Sequence, residues 1–113
     1  LRLSRGLGDV YKRQIKGLII VLNNDGSIIS FSGQTLSESW TNEEYLRRGL
    51  SNATEHDGNL VFGDIEGYLH VINPLTGRTV GREKISGNPI RYVSSRGNQL
   101  FALDSELRMF ALN

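Results

Sequence analysis

The chain has 113 residues, with 13 Lys and Arg against 12 Asp and Glu, a formal charge of +1, 38% hydrophobic residues and no cysteine. Without cysteine, neither a disulfide framework nor a thiolate metal site can be built from this sequence. None of its apolar runs approaches the ~20 residues of a membrane-spanning helix, and the length suffices for one small domain or a piece of a longer array.

In chain order, the first feature is the stretch Ser4 to Gln14, "SRGLGDVYKRQ", which shows no strand alternation and no echo further along. It resembles, residue for residue, one reading frame of a transposase-type sequencing-library adaptor. Two other readings fail on their own requirements. A signal peptide needs an apolar h-region of 7–15 residues after its basic start, and Leu18 to Leu22 is too short. A phosphate-cradling glycine loop needs a preceding strand, a following helix and a third glycine, none of which flanks "GLGDVY". Residues 1–14 are therefore expected to be adaptor-derived and to lie outside the fold, leaving 15–113 as the native part. The excluded segment carries four of the basic and one of the acidic side chains, so nine basic residues remain against eleven acidic ones, a balance of −2. A mildly acidic chain lacks the clustered positive field that phosphate neutralisation requires, which argues against nucleic acid and anionic membrane surfaces as partners.

From Ile19 onward the chain repeats itself. "IIVLNNDGSIISFS" (19–32), "LVFGDIEGYLHVIN" (60–73) and "LFALDSELRMFALN" (100–113) share one pattern, an apolar run, a polar turn and a second apolar or alternating run, recurring about every 40 residues. Each run is too short for a helix and is bounded by turn residues, so strands are predicted. Asp25-Gly26 and Glu66-Gly67 are expected to be tight primed hairpin turns, because glycine supplies positive φ at no steric cost. The third copy has Glu106-Leu107 there, which predicts a different or a strained turn. "NPLTGR" (73–78) reads as a further turn, with Pro74 fixing φ and Gly77 closing it, before "TVGREKI" resumes an extended pattern. "LSESW" (36–40), "LSNATE" (50–55) and "PIRYVSS" (89–95) supply further strands. In the connection 41–49, Thr41 and Glu44 have capping-box spacing, which predicts a single helical turn.

A four-strand unit repeating at this period is a propeller blade rather than a helical solenoid unit. The expected fold class is therefore all-β, a partial β-propeller of about two and a half four-stranded antiparallel blades: three strands, a complete blade of four, then three more. A closed propeller commonly completes its last blade with a strand from the other terminus, and a chain ending after a third strand fits a C-terminus awaiting that partner. Isolated from the ring, such blades expose apolar faces and unpaired edges, so low solubility is expected.

The stretch "NLVFGDIEGYLHVINPLTGR" (59–78) resembles the blade motif of pyrroloquinoline-quinone-type propeller repeats, and in particular the C-terminal blades of the BamB family of outer membrane assembly scaffolds. The likeness is carried by Gly58, Asn59, Leu60, Val61, Gly63, Asp64, Glu66, Gly67, Tyr68, Leu69, His70, Ile72 and Asn73. The generic repeat ends in a tryptophan that docks between neighbouring blades; Trp40 matches it, whereas Gly81 departs from it. The resemblance implies a periplasmic, non-enzymatic lipoprotein scaffold of the β-barrel assembly machinery. It further implies a lipid anchor upstream and a BamA-like barrel-assembly partner held by loops outside these residues, so no partner-binding residue is carried over. The alternatives are part of a quinoprotein dehydrogenase with a calcium-bound quinone, or a propeller interaction module with another partner.

No residues carry an independent case for catalysis, a cofactor or a metal. His56 and His70 are the only imidazoles, and a metal site would need them to converge with a carboxylate; His70, in a strand, is expected to face solvent or a neighbouring blade. Glu38, Glu43 and Glu44 are read as solvated side chains rather than an acid/base pair. Asp25, Asp64 and Asp104 sit at turn starts or strand ends, where the carboxylate bonds to nearby backbone; calcium would need several such oxygens at one point. Asn52-Ala53-Thr54 is a glycosylation pattern, incidental in a bacterial protein. No Gly-x-Ser-x-Gly elbow accompanies the Ser, His and Asp residues. Phe31, Trp40, Phe62, Tyr68, Tyr92, Phe101 and Phe110 are expected either in the inter-blade core or on exposed binding patches.

Overall fold

The computed structural model describes residues 11–112 and places them in three antiparallel sheets. The first contains β1 (Tyr11–Ile15), β2 (Leu18–Leu22), β3 (Ile28–Ser32) and β4 (Glu38–Asn42). The second contains β5 (Ala53–His56), β6 (Asn59–Gly63), β7 (Tyr68–Ile72) and β8 (Thr79–Lys84), and the third β9 (Ile90–Arg96), β10 (Gln99–Asp104) and β11 (Met109–Leu112). Strands follow chain order across each sheet, and the leading strands β1, β5 and β9 approach one another. Each sheet is thus a blade that starts at the common axis and steps outward, the arrangement expected of a partial propeller.

Alternation along the strands divides the core into two layers. Ile20, Leu22, Ile28, Leu60, Phe62 and Ile72 fill the space between the first and second blades, with Tyr45 from the connecting segment. Val61, Leu69, Ile90, Val93, Leu100 and Ala102 fill the space between the second and third. Strand β6 lies in the middle and is buried on both faces, Leu60 and Phe62 pointing one way and Val61 the other. That is why its sequence reads as a continuous apolar run rather than an alternating one.

The first blade differs from expectation. It has four strands, because Tyr11 to Ile15 pairs antiparallel with Leu22 to Leu18, so residues 11–14 are inside the fold. The remainder of the expected adaptor segment, 1–10, lies outside the described residues. The physical reason is the edge of β2: its unpaired backbone groups accept any extended segment that a tight turn brings alongside. Lys16 (φ 52°) and Gly17 (φ 79°) make that two-residue turn. Tyr11 and Ile15 pack on the core while Lys12 and Gln14 are exposed.

The true two-residue hairpins are Lys16-Gly17, Asp57-Gly58 (φ 53° and 81°) and Gly97-Asn98, with Gly97 at φ 57°. Asp25-Gly26 and Glu66-Gly67 are not primed two-residue turns. They close longer loops in which the Gly26 N–H donates to the Asn23 carbonyl at 3.0 Å and the Gly67 N–H to the Asp64 carbonyl at 3.3 Å. In the third copy the Leu107 N–H donates to the Asp104 carbonyl at 3.0 Å, so Leu107 occupies the left-handed position of the glycines, at φ 64°. The expected strain is present. Leu107 is also exposed, so Leu107→Gly gives up little burial while releasing a conformation that costs a non-glycine residue ~1–2 kcal/mol. After the extra flexibility that glycine gives the unfolded chain, a gain of about 0.5–1 kcal/mol is expected, read as a higher urea midpoint.

The connection between the first two blades contains a turn at 44–47 but no helix. Thr41 does not cap it; its hydroxyl donates to Glu38 at 2.6 Å, and Asn42 Oδ1 accepts the Glu44 N–H at 2.8 Å instead. Each inter-blade segment is tied to the loops on either side. The Arg47 N–H donates to the Asp25 carbonyl at 2.9 Å and the Ile65 N–H to the Arg48 carbonyl at 3.0 Å. In the next connection the Ile85 N–H donates to the Gly67 carbonyl and the Ser105 N–H to the Pro89 carbonyl, both at 2.9 Å.

Candidate functional site

Three polar features stand out: a buried cluster on Asp64, a latch at Trp40, and the exposed outer edge of the second blade. Asp64 closes β6 and is fully buried. One carboxylate oxygen, Oδ1, accepts the Glu66 and Tyr68 backbone N–H groups at 2.9 and 3.0 Å, shaping the turn. The other, Oδ2, accepts Arg48 Nε and Nη2 at 2.9 and 2.7 Å and contacts His70 Nε2 at 2.7 Å. Burial opposes ionisation of Asp64, but hydrogen bonds from His70, the Tyr68 N–H and Arg48 outweigh it, holding the carboxyl below its ordinary value. Asp104 repeats the motif, accepting the Glu106 and Arg108 N–H groups at 2.9 Å and the Ser86 hydroxyl at 2.7 Å. The Asp25 carboxylate, by contrast, accepts only from its local neighbour Ser27 among the described residues, from its backbone N–H and its hydroxyl.

His70 does not face solvent. It is fully buried, packed among Tyr45, Phe62 and Tyr68, and its Nδ1 has no hydrogen-bond partner among the described residues. Burial lowers its pKa against the opposing pull of Asp64. Of the two settings expected for it, solvent is excluded and the neighbour side holds, since Tyr45 belongs to the segment that joins the first two blades; Leu69 also points inward, toward the third blade, so β7 is packed on both faces.

A neutral buried imidazole makes the fold acid-sensitive. The unfolded chain takes up the His70 proton near its ordinary value of 6.5, while the folded chain takes it up only at lower pH. Stability from His70 is therefore complete above about pH 6.5 and is lost as pH falls from there to the folded value. Asp64, whose folded value is lowered from 3.8, adds a loss at more acidic pH as it is protonated. The urea midpoint is expected to fall on acidification below pH 6.5, and His70→Gln to flatten the upper part of that slope.

At the latch, Trp40 of β4 donates from Nε1 to the Pro74 carbonyl of the second blade at 2.8 Å. Its ring covers Gly77, where a Cβ would overlap it. Asn42 Nδ2 donates to the Gly77 carbonyl at 2.7 Å, and the Tyr45 hydroxyl bonds Thr79. Trp40 thus docks between blades as the repeat implies, and Gly81, at the matching place on β8, has no side chain to do so. Between the second and third blades the Asn52 amide spans the Val93 backbone, donating to its carbonyl and accepting its N–H, both at 2.9 Å. The glycosylation-pattern asparagine is thereby a blade connector. His56 Nδ1 bonds Ser95 Oγ at 2.7 Å and does not meet His70.

Glu38 and Glu43 are exposed, and Glu44 accepts hydrogen bonds from Asn42 and Thr79. Among the described residues no three His, Cys, Asp or Glu side chains are placed to hold a metal ion. The aromatic set divides: Phe62 is fully buried, Trp40 and Phe110 pack at the blade interfaces, and Tyr92 is 53% exposed. Tyr92, Phe101, Leu103 and Met109 line one face of the third sheet, opposite its contact with the second blade.

Antiparallel sheets that start at a common axis, the first two latched by an outer-strand tryptophan, define a partial β-propeller. No protein-family model matches the chain. It is 31% identical over 109 residues to the outer membrane protein assembly factor BamB of Pseudomonas aeruginosa, covering 88% of this chain and 26% of that protein. Against BamB of Marinobacter adhaerens it is 33% identical over 94 residues, covering 82% of this chain and 24% of the relative. The crystal structure of BamB from Moraxella catarrhalis superposes with a TM-score of 0.81 at 21% identity, over 88% of this chain and 30% of that one. The chain is a BamB-like stretch of propeller and spans about a quarter of the length of the curated relatives it matches.

Proposed function

We propose that these blades belong to a non-enzymatic scaffold on the periplasmic side of the outer membrane, which supports assembly of β-barrel proteins through protein–protein contacts. The observation that carries this reading is the likeness to outer membrane protein assembly factors along most of the chain. The geometry supports it. Polar bonds at both blade junctions hold the surface loops in fixed positions, as a platform for partners requires. In the whole protein the scaffold would be tethered by a lipid and would hold a BamA-like partner.

The test is an affinity isolation of the full-length protein carrying these blades from detergent-solubilised envelope. Recovery of the barrel-assembly protein is expected, as is a fall in outer membrane porins when the gene is deleted. Quinone absorbance with dehydrogenase activity, and no such partner, would overturn the reading. The adaptor origin of 1–14 belongs to the same proposal. A genomic read extending upstream from Ile15 is expected to encode a different inner strand for the first blade; finding "SRGLGDVYKRQ" in the gene would refute it.

A further inference from the structure

We propose that the outer edge of the second blade binds an extended acidic segment of a partner protein, with its carboxylates on Arg82 and Lys84 beside Tyr68. This deepens the scaffold reading by assigning it one contact surface. Strand β8 ends its sheet, paired with β7 on one side only, and Arg82, Glu83 and Lys84 are exposed.

Register places Lys84 opposite Tyr68 and Arg82 opposite His70, so the two cations project from the same face of the strand. Arg82 and Lys84 lie 5.8 and 5.7 Å from the centre of the Tyr68 ring, and Arg48 lies 5.8 Å from it. Three positive groups therefore crowd one aromatic ring. Of these, Arg48 is neutralised by Asp64 at 2.7 Å and by Glu66 at 3.6 Å. Arg82 and Lys84 form no ion pair among the described residues.

Two unneutralised like charges held about 7 Å apart along a strand repel each other, and a bound anion relieves that repulsion. The spacing selects the anion. Alternate residues of an added strand repeat at the same distance, so glutamates or aspartates at every second position meet Arg82 and Lys84 together, while the unpaired edge supplies backbone hydrogen bonds. A cleft between the 44–48 segment and β8, lined by Tyr45, Thr79 and the exposed Val80, gives the incoming segment a wall to lie against. Glu44 at that cleft and Glu83 on β8 oppose a continuous phosphate chain, whereas separated carboxylates can pass between them.

The test immobilises the full chain at low density and titrates two synthetic peptides, one alternating glutamate with valine and one alternating lysine with valine. Binding of the glutamate peptide is expected, weakening between about 50 and 500 mM salt as screening shortens. It should drop about tenfold in the R82Q/K84Q double variant, in line with loss of two charge-assisted contacts, and stay unchanged in Arg108→Glu on the third blade. Near-ultraviolet circular dichroism of Trp40 confirms that the variants are folded. No glutamate-peptide binding, equal binding of the lysine peptide, or unaltered affinity in folded R82Q/K84Q would each overturn the proposal. Those results leave the scaffold reading intact, since that stands or falls on the envelope isolation.

Discussion

Asp64→Ala is expected to cost about 3–5 kcal/mol, the range for removing one partner of a buried charge cluster. The carboxylate is fully buried and joins two N–H groups of its own turn to the His70 imidazole of β7 and, across the blade junction, to the Arg48 guanidinium of the inter-blade segment. Without it, the Arg48 charge loses its close partner, His70 loses its one bonded nitrogen, and the turn donors are left unpaired. Asp64→Asn, which keeps an acceptor of the same shape, should cost less than the alanine. Urea denaturation of the three forms at pH 7.5 makes the comparison, and a loss below about 1 kcal/mol for the alanine would show that the cluster is replaceable by water.

Gly67→Ala is expected to be nearly as damaging, for a steric reason. Gly67 sits at φ 91°, which L side chains rarely adopt, and a Cβ there would overlap the Ser86 carbonyl of the next connection. That neighbour is backbone and cannot swing aside. Its segment is also fixed by the Ile85 and Ser86 N–H bonds to the Gly67 carbonyl. The substitution thus combines left-handed strain of ~1–2 kcal/mol with a displaced connection, and about 3 kcal/mol or more is expected. Gly97→Ala is a matched control, since Gly97 also has positive φ but nothing lies within contact of its Cβ. It should show the strain alone, so equal losses at the two positions would remove the steric argument.

The strands were legible because period-two alternation and turn residues are local signals. "LVFGDIEGYLHVIN" contains nearly all of β6 and β7 and the turn between them. Trp40 was legible as a latch only through the family resemblance. Turn geometry was legible only in part: glycine announces positive φ, but not whether two or five residues close the hairpin, so Gly26 and Gly67 were assigned to tighter turns than they make. The Asp64 cluster was legible at Asp64 alone. His70 was legible only as a choice between solvent and a neighbouring blade, because both faces of β7 are packed, and Arg48 carries no local mark, since its partner lies across the blade junction. Tyr11 to Gln14 escaped for another reason: strand pairing is made by backbone, which every extended segment shares.

Because each connecting segment bonds to the loop before it and the loop after it, no sheet here closes its own hydrogen-bond account. Backbone amides in adjacent blades should consequently exchange with deuterium at matched rates, opening as one unit. Such a body would turn under load as a rigid disc sector.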